Sequence, residues 1–327
     1  MFENKKILIT GGTGSLGKEL TRRLLNENVD TIRIFSRDEW KQIEMEKEFD
    51  SEQLRFLIGD VRDKERLSWA VHDVDMVIHT AALKQVPTAE YNPFEAIKTN
   101  VLGSQNLIEC CLENNVEKVL AVGTDKAVSP LNTYGASKML MERLFISANN
   151  YKGNKRSKFF CVRYGNVLGS RGSLLPVLLS QIKMGSPLTI TSPEMTRFSI
   201  TMDEAIDLIF RSFNQTNGGE VFIPRLKSYK VQDIKQAIIN LTGYKNGEKR
   251  IPVRQGEKFH EMLINSEELR NTFENETDYV IIDDVNQKLN NKQNLKLSSL
   301  KSDYKSNSVE LYSVDELETI ISQNNLI

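Results

Sequence analysis

Tyr134 and Lys138 stand four residues apart in YGASKMLMERLF (134–145), and just upstream VLAVGTDKAVSP (119–130) sets Thr124, Asp125 and Lys126 side by side. On a helix, a spacing of four puts phenol and ammonium on one face, one turn apart. A phenol titrates near about 10 and serves as a base at neutral pH only when a neighbouring positive charge favours the phenolate. Such a pair suits proton exchange with a substrate hydroxyl beside a nicotinamide, Lys138 also contacting ribose hydroxyls. Tyr and Lys are equally ordinary in an amphipathic helix, so the pair alone does not separate chemistry from packing.

A dinucleotide site is legible near the start of the chain. GGTGSLG (11–17) follows the β-like run KKILIT and opens a stretch of helical periodicity, Lys18 to Asn26. The spacing Gly11-x-x-Gly14-x-x-Gly17 departs by one residue from the commoner fingerprint. It serves the same physics: a tight turn, backbone close to a pyrophosphate, and a helix N-terminus facing its charge. After the second strand-like run, TIRIFSR, an NAD-preferring protein usually places Asp or Glu against the ribose hydroxyls. Here Ser36 and Arg37 stand there, a hydroxyl and a guanidinium that suit the 2′-phosphate of NADP. Asp38 follows and is able to point either way. Asp60 and Val61, closing LRFLIGDV (54–61), are placed to border the adenine, although Asp60 also reads as an ordinary turn opener.

These groups need a scaffold, and the pattern supplies one. DMVIHTAA, KVLAVGTD and SKFFCVRYGNV continue the series of short apolar runs, with helical stretches around 39–49, 63–72 and 93–115 between them. The alternation predicts an α/β fold, a Rossmann-type doubly wound parallel sheet. Beyond Gly165 the rhythm changes: helix over Leu174 to Met184, the turn-rich GSPLTITSPEMTRF, helix in MDEAIDLIFRSF, strand in EVFIPRL, and helix in VQDIKQAIINLTG stopped by Gly243. The expected division is a cofactor-binding and catalytic domain at 1–165, then a smaller mixed α/β substrate lobe at 166–283, some of whose elements return to the main domain. A polar C-terminal arm follows at 284–327, with NQKLNNKQNLKLSSLKS its least orderly part and a closing helix capped by Ser313.

With 43 Lys and Arg against 44 Asp and Glu, the 327-residue chain offers no polybasic surface, so nucleic acid is not an expected partner. Cys110, Cys111 and Cys161 are too few and too badly spaced for a disulfide framework or a zinc site, and only three histidines are present. No metal is expected. No signal-like opening and no apolar run of membrane length occur, so the sequence predicts a cytosolic protein without a membrane partner.

SRDEWKQ (36–42), GDVRD (59–63), AALKQVP (81–87), TDKAVSP (124–130), RYGNVLGSRGS (163–173), MTRF (195–198) and IPVRQGEKFHEML (251–263) run through most of the chain. With the glycine motif and the Tyr-x-x-x-Lys pair, this set resembles the extended short-chain dehydrogenase/reductase family, and within it the NADP-dependent UDP-N-acetylglucosamine 4,6-dehydratases. Relatives acting on dTDP-glucose typically carry Asp-Glu where this chain has Asp125-Lys126. The resemblance implies a catalytic set of Thr124, Asp125, Lys126, Tyr134 and Lys138. Tyr134 accepts the C4 hydroxyl proton as NADP+ takes hydride. Lys126 then removes the C5 proton, Asp125 protonates the departing C6 hydroxyl, and hydride returns to C6. Lys126 would need a depressed pKa, which desolvation is expected to supply. The bland alternative is a strand-end salt bridge with no chemical duty.

The same resemblance assigns Thr13, Ser15, Leu16, Ala81, Ala82, Lys84 and Asn100 to the cofactor. It places Lys84 beside the sugar, Asn166 near the diphosphate, and Ser170, Arg171, Gly172, Ser173 and Thr189 in the substrate site. Arg171, Arg197 and Arg254 become partners for phosphate or uracil, and Glu257 for a ribose; Thr88 and Glu90 orient the loop carrying Lys84. Tyr134 and the chain length resemble the C5-inverting, pseudaminic-acid-type enzymes. The polar arm and SVDELETII also resemble a capsule-sugar group. The implied product is UDP-2-acetamido-2,6-dideoxy-β-L-arabino-hex-4-ulose, made by a homo-oligomer that in the soluble inverting group is commonly a hexamer. C5 retention, a UDP-N-acetylhexosamine 4-epimerase, and an NADP-sensing or structural binding protein are the alternatives.

Overall fold

Lys6–Thr10 (β1), Thr31–Ser36 (β2), Leu54–Ile58 (β3), Met76–His79 (β4), Lys118–Val122 (β5) and Lys158–Val162 (β6) realise the apolar runs of the first half. Except in the edge strand β3, where only Leu54 is buried, their inner apolar members are buried, as strands covered on both faces must be. The computed structural model describes residues 1–287 and 295–327. Four further strands, Glu220–Pro224 (β7), Thr272–Glu274 (β8), Asp278–Ile282 (β9) and Lys296–Leu297 (β10), complete a main sheet of ten among these residues, in the order β10-β8-β9-β7-β6-β5-β4-β1-β2-β3. Pairing is parallel from β3 across to β7 and antiparallel from β7 outward.

Helices Gly103–Glu113 and Thr133–Tyr151 cover one face through Leu107, Met141 and Phe145, and helices Ser15–Leu25 and Met202–Gln215 cover the other through Leu20, Ile206 and Phe213. Each large side chain so buried contributes about 1.5–3 kcal/mol. The strand order reverses beside β1, and such a switch point opens a crevice at the carboxyl ends of the strands. The glycine turn after β1 and the Thr124–Lys126 loop after β5 both empty into it.

The smaller lobe has its own core. Helices Leu174–Lys183, Val231–Thr242 and Val314–Gln323 meet through Leu178, Ile234, Ile238, Leu317 and Ile321. Gly243, at φ +65°, ends the middle helix, and Ser313 with Glu316 forms a capping box that starts the last one. Ser228–Lys230, Thr196–Ile200 and Asn166–Val167 form a three-stranded sheet that joins this lobe to the crevice.

Four local readings change. SKFFCVRYGNV is not one strand: β6 stops at Val162, and Asn166–Val167 pairs with Thr196–Ile200 instead. The run 54–61 stops at Ile58, because Asp63 turns back to the Asp60 carbonyl and caps the next helix. The helix expected over 93–115 is broken by a π turn, Ile97–Leu102, and a separate short helix, Val86–Tyr91, precedes it. Of the expected polar arm, residues 288–294 lie outside the described residues. The rest is ordered against both parts: Lys296–Leu297 joins the main sheet, Tyr304 and Ser306 are buried, and the last helix packs in the lobe core. Among the described residues no helix is long and apolar enough to cross a membrane, and no group of three or more His, Cys, Asp or Glu is arranged to hold a metal ion.

Candidate active site

The cofactor edge is built by absence of side chains. Gly14 caps the helix Ser15–Leu25 without a side-chain bond, so the first amides of that helix are left for an anion. A Cβ on Gly17 would collide with the Gly12 carbonyl, so only glycine lets the helix start this close to the turn. The arrangement fits a dinucleotide pyrophosphate. Gly11, Gly14, Ser15, Leu16 and Gly17 line one end of a cavity of about 550 Å³, joined by Ala81 and Ala82 from the loop after β4.

Other residues assigned to the cofactor lie around this lining. Thr13 is buried beside the turn. Ser36 accepts from Gln42 Nε2 at 3.0 Å, and Arg37 lies 3.5 Å from Asp60. Asp38 does not face that edge freely: it accepts from the Lys41 amide at 3.1 Å as the cap of helix Glu39–Phe49, and its bonds from Lys41 hold its carboxyl below the usual range. Burial alone would raise Asp60, but hydrogen bonds and charge from Arg62, with Arg37 beyond, lower it. Val61 packs in the core. Asn100 stands behind the cavity, its amide fully engaged with both backbone groups of Leu83 (2.8 and 3.0 Å) and with Ser137 (2.9 Å). It clamps the 80–85 loop to the Tyr134 helix.

The reacting cluster sits at the end of β5. Thr124 caps the turn Asp125–Ala127, and its hydroxyl donates to Asp125 Oδ1 at 3.0 Å. Lys126 Nζ donates to the same Oδ1 at 3.0 Å and to Asn166 Oδ1 at 3.2 Å, and lies 3.3 Å from Glu261 Oε1. Asp125 is fully buried and Glu261 is 2% exposed. The second carboxylate oxygen of each, Oδ2 and Oε2, has no partner among the described residues. Asn166, expected near a diphosphate, lines the cavity and also accepts from the lysine, with Tyr229 buried close by.

Asn132 caps the next helix by accepting from the Gly135 amide at 2.8 Å. A Cβ on Gly135 would collide with the Lys126 carbonyl, so this glycine lets the helix press directly on the Asp125–Lys126 turn. Tyr134 is thereby brought close to Thr124 and Lys126. Lys138 donates to Met141 Sδ at 2.9 Å.

Electrostatics revise two expectations. Burial disfavours the Lys126 ammonium, but the carboxylates of Asp125 and Glu261 outweigh it, and the pKa is raised rather than depressed. Desolvation is not the deciding influence, because the group is not buried alone. Burial raises Asp125 despite the lysine beside it. Burial likewise raises Tyr134; the opposing influences are the nearby Lys126 charge and the Thr124 hydroxyl, not Lys138. Burial depresses Lys138 itself to about 8.

Lys84, Asn166, Ser170, Gly172 and Ser173 line the middle of the same cavity, and Thr189, Arg197, Arg254 and Glu257 its far wall. Arg197 Nη2 donates to Glu257 at 3.1 Å, and Thr189 accepts from Gln181 at 2.7 Å. Burial and Arg171 lower the Lys84 pKa. Arg171 is exposed and outside the lining; its amide reaches Ser15 Oγ at 3.5 Å, tying the 170–173 loop to the glycine turn. Glu90 accepts from the Thr133 amide at 2.5 Å, steadying the short helix that also carries Thr88.

Sequence reasoning missed Glu261, Lys258, Tyr164 and Tyr229. Glu261 lies within the recognised stretch IPVRQGEKFHEML, but its type and local spacing carry no sign that the fold delivers it to Lys126.

The family model for polysaccharide biosynthesis proteins matches residues 7–283. The chain is 50% identical over 284 residues to a Campylobacter jejuni protein (strain 81-176) named UDP-N-acetylglucosamine 4,6-dehydratase (inverting), covering 86% of this chain and 84% of that one. It is 43% identical over 273 residues to a Rickettsia prowazekii protein named UDP-glucose 4-epimerase, covering 82% and 80%. The crystal structure of Pen from Bacillus thuringiensis superposes with a TM-score of 0.92 at 35% identity, covering 98% of this chain and 99% of that one. The chain belongs to the polysaccharide biosynthesis protein family.

Proposed function

We infer that this chain is a UDP-N-acetylglucosamine 4,6-dehydratase that inverts C5. The observation that carries the reading is the Lys126–Asp125 pair, joined at 3.0 Å beside a cavity that also exposes Tyr134 and a dinucleotide cradle. A 4-epimerase needs the tyrosine and the cradle but has no use for a second acid and base. The homologue carrying the dehydratase name is also more similar to this chain than the one named an epimerase.

A bound nicotinamide dinucleotide supplies the hydride acceptor and donor. Tyr134, which burial keeps as the phenol at rest, must first give its proton to solvent; as the phenolate it takes the C4 hydroxyl proton, and the resulting ketone acidifies C5. The resting pair is ammonium and carboxylate, so one proton must first cross from Lys126 to Asp125 along their hydrogen bond. Lys126 then removes the C5 proton as an amine, and Asp125 gives its proton to the departing C6 oxygen. Water leaves, and the pair returns to ammonium and carboxylate. Return of the hydride at C6 and a solvent-derived proton on the opposite face of C5 give the product, and the proton that Tyr134 released to solvent at the outset closes the balance.

NADP is the preferred cofactor in this reading, because Asp38 is engaged as a helix cap while Ser36 and Arg37 remain at the strand end. Arg197, Arg254 and Glu257 receive the nucleotide portion of the UDP-sugar, with Lys84 beside the sugar. A cytosolic homo-oligomer serving a pseudaminic-acid-type pathway belongs to the same proposal. The test is incubation with UDP-N-acetylglucosamine and NADP in deuterated water. Loss of water by mass spectrometry, with deuterium at an inverted C5 by NMR, is expected. An isobaric product would transfer the chain to the epimerases.

A further inference from the structure

We propose that Glu261 is a positioning residue for the acid/base step: its Oε1 lies 3.3 Å from Lys126 Nζ, across from Asp125 Oδ1 at 3.0 Å, so that the ammonium is held between two carboxylates. The inference rests on the dehydratase reading and adds a residue to it.

Glu261 is not placed by chance packing. Its amide donates to Ser306 Oγ at 2.9 Å, and its carbonyl accepts from the Ser306 amide at 2.9 Å. Ser306 is fully buried, and its hydroxyl lies 2.6 Å from that of Thr196. Residues from the lobe sheet and the C-terminal segment therefore fix the backbone that delivers this carboxylate to the end of β5. A buried carboxylate with one oxygen unpartnered is costly unless its charge has a use.

The charged groups facing Glu261 are Lys126 and Asp125 from the β5 loop, Arg197 from the lobe strand, with its Nε at 3.9 Å, and Lys258 from its own segment. These decide which carboxylate takes the shared proton. Asp125 has Lys126 as its paired cation and Lys258 only as a weaker neighbour, whereas Glu261 has Arg197 at 3.9 Å and Lys258 acting on it more strongly. When Lys126 gives up a proton, Asp125 loses its counter-charge and Glu261 does not. Asp125 therefore becomes the acid and Glu261 stays anionic. The directions agree: burial raises Asp125, while the three cations overcome burial to lower Glu261. As a fixed anion, Glu261 also makes both members of the Asp125–Lys126 pair hold their protons more firmly.

The experiment compares Glu261→Gln and Glu261→Asp in the holoenzyme. For E261Q we expect kcat for water loss to fall at least about tenfold with KM within about threefold. Its pH–rate profile should move about one unit to the acid side, the size of shift one nearby charge produces. E261D, which keeps the charge, should restore the profile. An unchanged kcat and profile in E261Q overturns the proposal, as do equal losses in both variants without a shift. If E261Q does not fold, thermal unfolding of Lys126→Met and of Lys126→Met/Glu261→Gln decides. Glu261 acting through Lys126 makes the double variant more stable than the single; a less stable double variant overturns it. Wild-type enzyme that fails to dehydrate the substrate while this thermal coupling persists refutes the functional reading and leaves the anchoring of Lys126 standing.

Discussion

Replacing Lys126 with Met keeps the length of the stem and deletes the charge that two buried carboxylates share. Removing one partner of a buried pair costs about 3–5 kcal/mol. A second route gives the same size. The variant relieves the uncompensated charge by protonating Asp125, which is fully buried. For a carboxyl titrating near about 4 when unfolded, holding that proton at about pH 7 costs roughly 4 kcal/mol, or about 1.4 kcal/mol per pH unit. The sign follows from the direction of the shift. Asp125 already has a raised folded pKa, and loss of Lys126 raises it further. A carboxyl with a raised folded pKa weakens folding above its unfolded pKa, and that penalty disappears as pH falls towards it. The deficit of K126M should therefore be greatest at neutral pH and shrink steadily towards about pH 5. At about 2 °C per kcal/mol for a chain of this size, Tm should lie about 6–10 °C below wild type at neutral pH and about half that near pH 5.5. Differential scanning calorimetry across this range measures it. A Tm deficit that does not change with pH would mean that Lys126 contributes packing rather than charge, and the argument for a shared ammonium would fail.

Asp125→Asn should still oxidise C4 but lose water about 10²–10⁴-fold more slowly, so reduced nicotinamide accumulates in a single turnover followed by absorbance; unchanged elimination removes Asp125 from the acid role. Gly135→Ala places a methyl against the Lys126 carbonyl and should cost about 1–3 kcal/mol of stability together with most of the activity. Full activity at an unchanged Tm would show that the helix tolerates a wider seat. Arg37→Ala should weaken NADP binding about tenfold or more, the worth of a charge-assisted hydrogen bond, and leave NAD binding nearly as it was; equal losses for both dinucleotides, by fluorescence titration, sink the phosphate assignment.

What the sequence revealed was what is local. Gly11, Gly14 and Gly17 declare their turn by spacing, as Tyr134 and Lys138 declare a helix face, because both relations are set within one or two helical turns. Ser313 and Gly243 mark helix ends for the same reason. The limit shows at Asn166: its type and motif suggested a ligand contact and it does line the cavity, but that pairing of Asn166–Val167 with Thr196–Ile200 also brings it to Lys126 was not legible. Glu261 was invisible because its partner Lys126 lies in a turn far away in the chain and its backbone is fixed by Ser306, farther along still. The charge state of Lys126 failed for a related reason. Desolvation can be imagined from a residue type, but two opposing carboxylates have to be brought there by the fold.

That charge state changes how the pH dependence should look. A lone lysine with a depressed pKa would act as a base only above that pKa, so its rate would climb through the neutral range. The Asp125–Lys126 pair behaves differently, because it holds one proton between two sites and its titrations belong to the pair. Elimination moves that proton from Asp125 to the leaving oxygen while Lys126 gains another from C5, so the pair's proton count is unchanged. Activity is lost on the acid side when Asp125 and Lys126 are both protonated, a limb that the raised Asp125 pKa brings towards neutrality. It is lost on the alkaline side only when the pair gives up its last proton, and the raised Lys126 pKa sets that limb far above neutral. Water loss measured from the C4 ketone onward, past the step that uses Tyr134, should therefore be flat across neutral pH and fall only as the solution becomes acidic. A rate that instead rises about tenfold per unit through neutral pH would show the lysine titrating alone, and the shared proton would have to be abandoned.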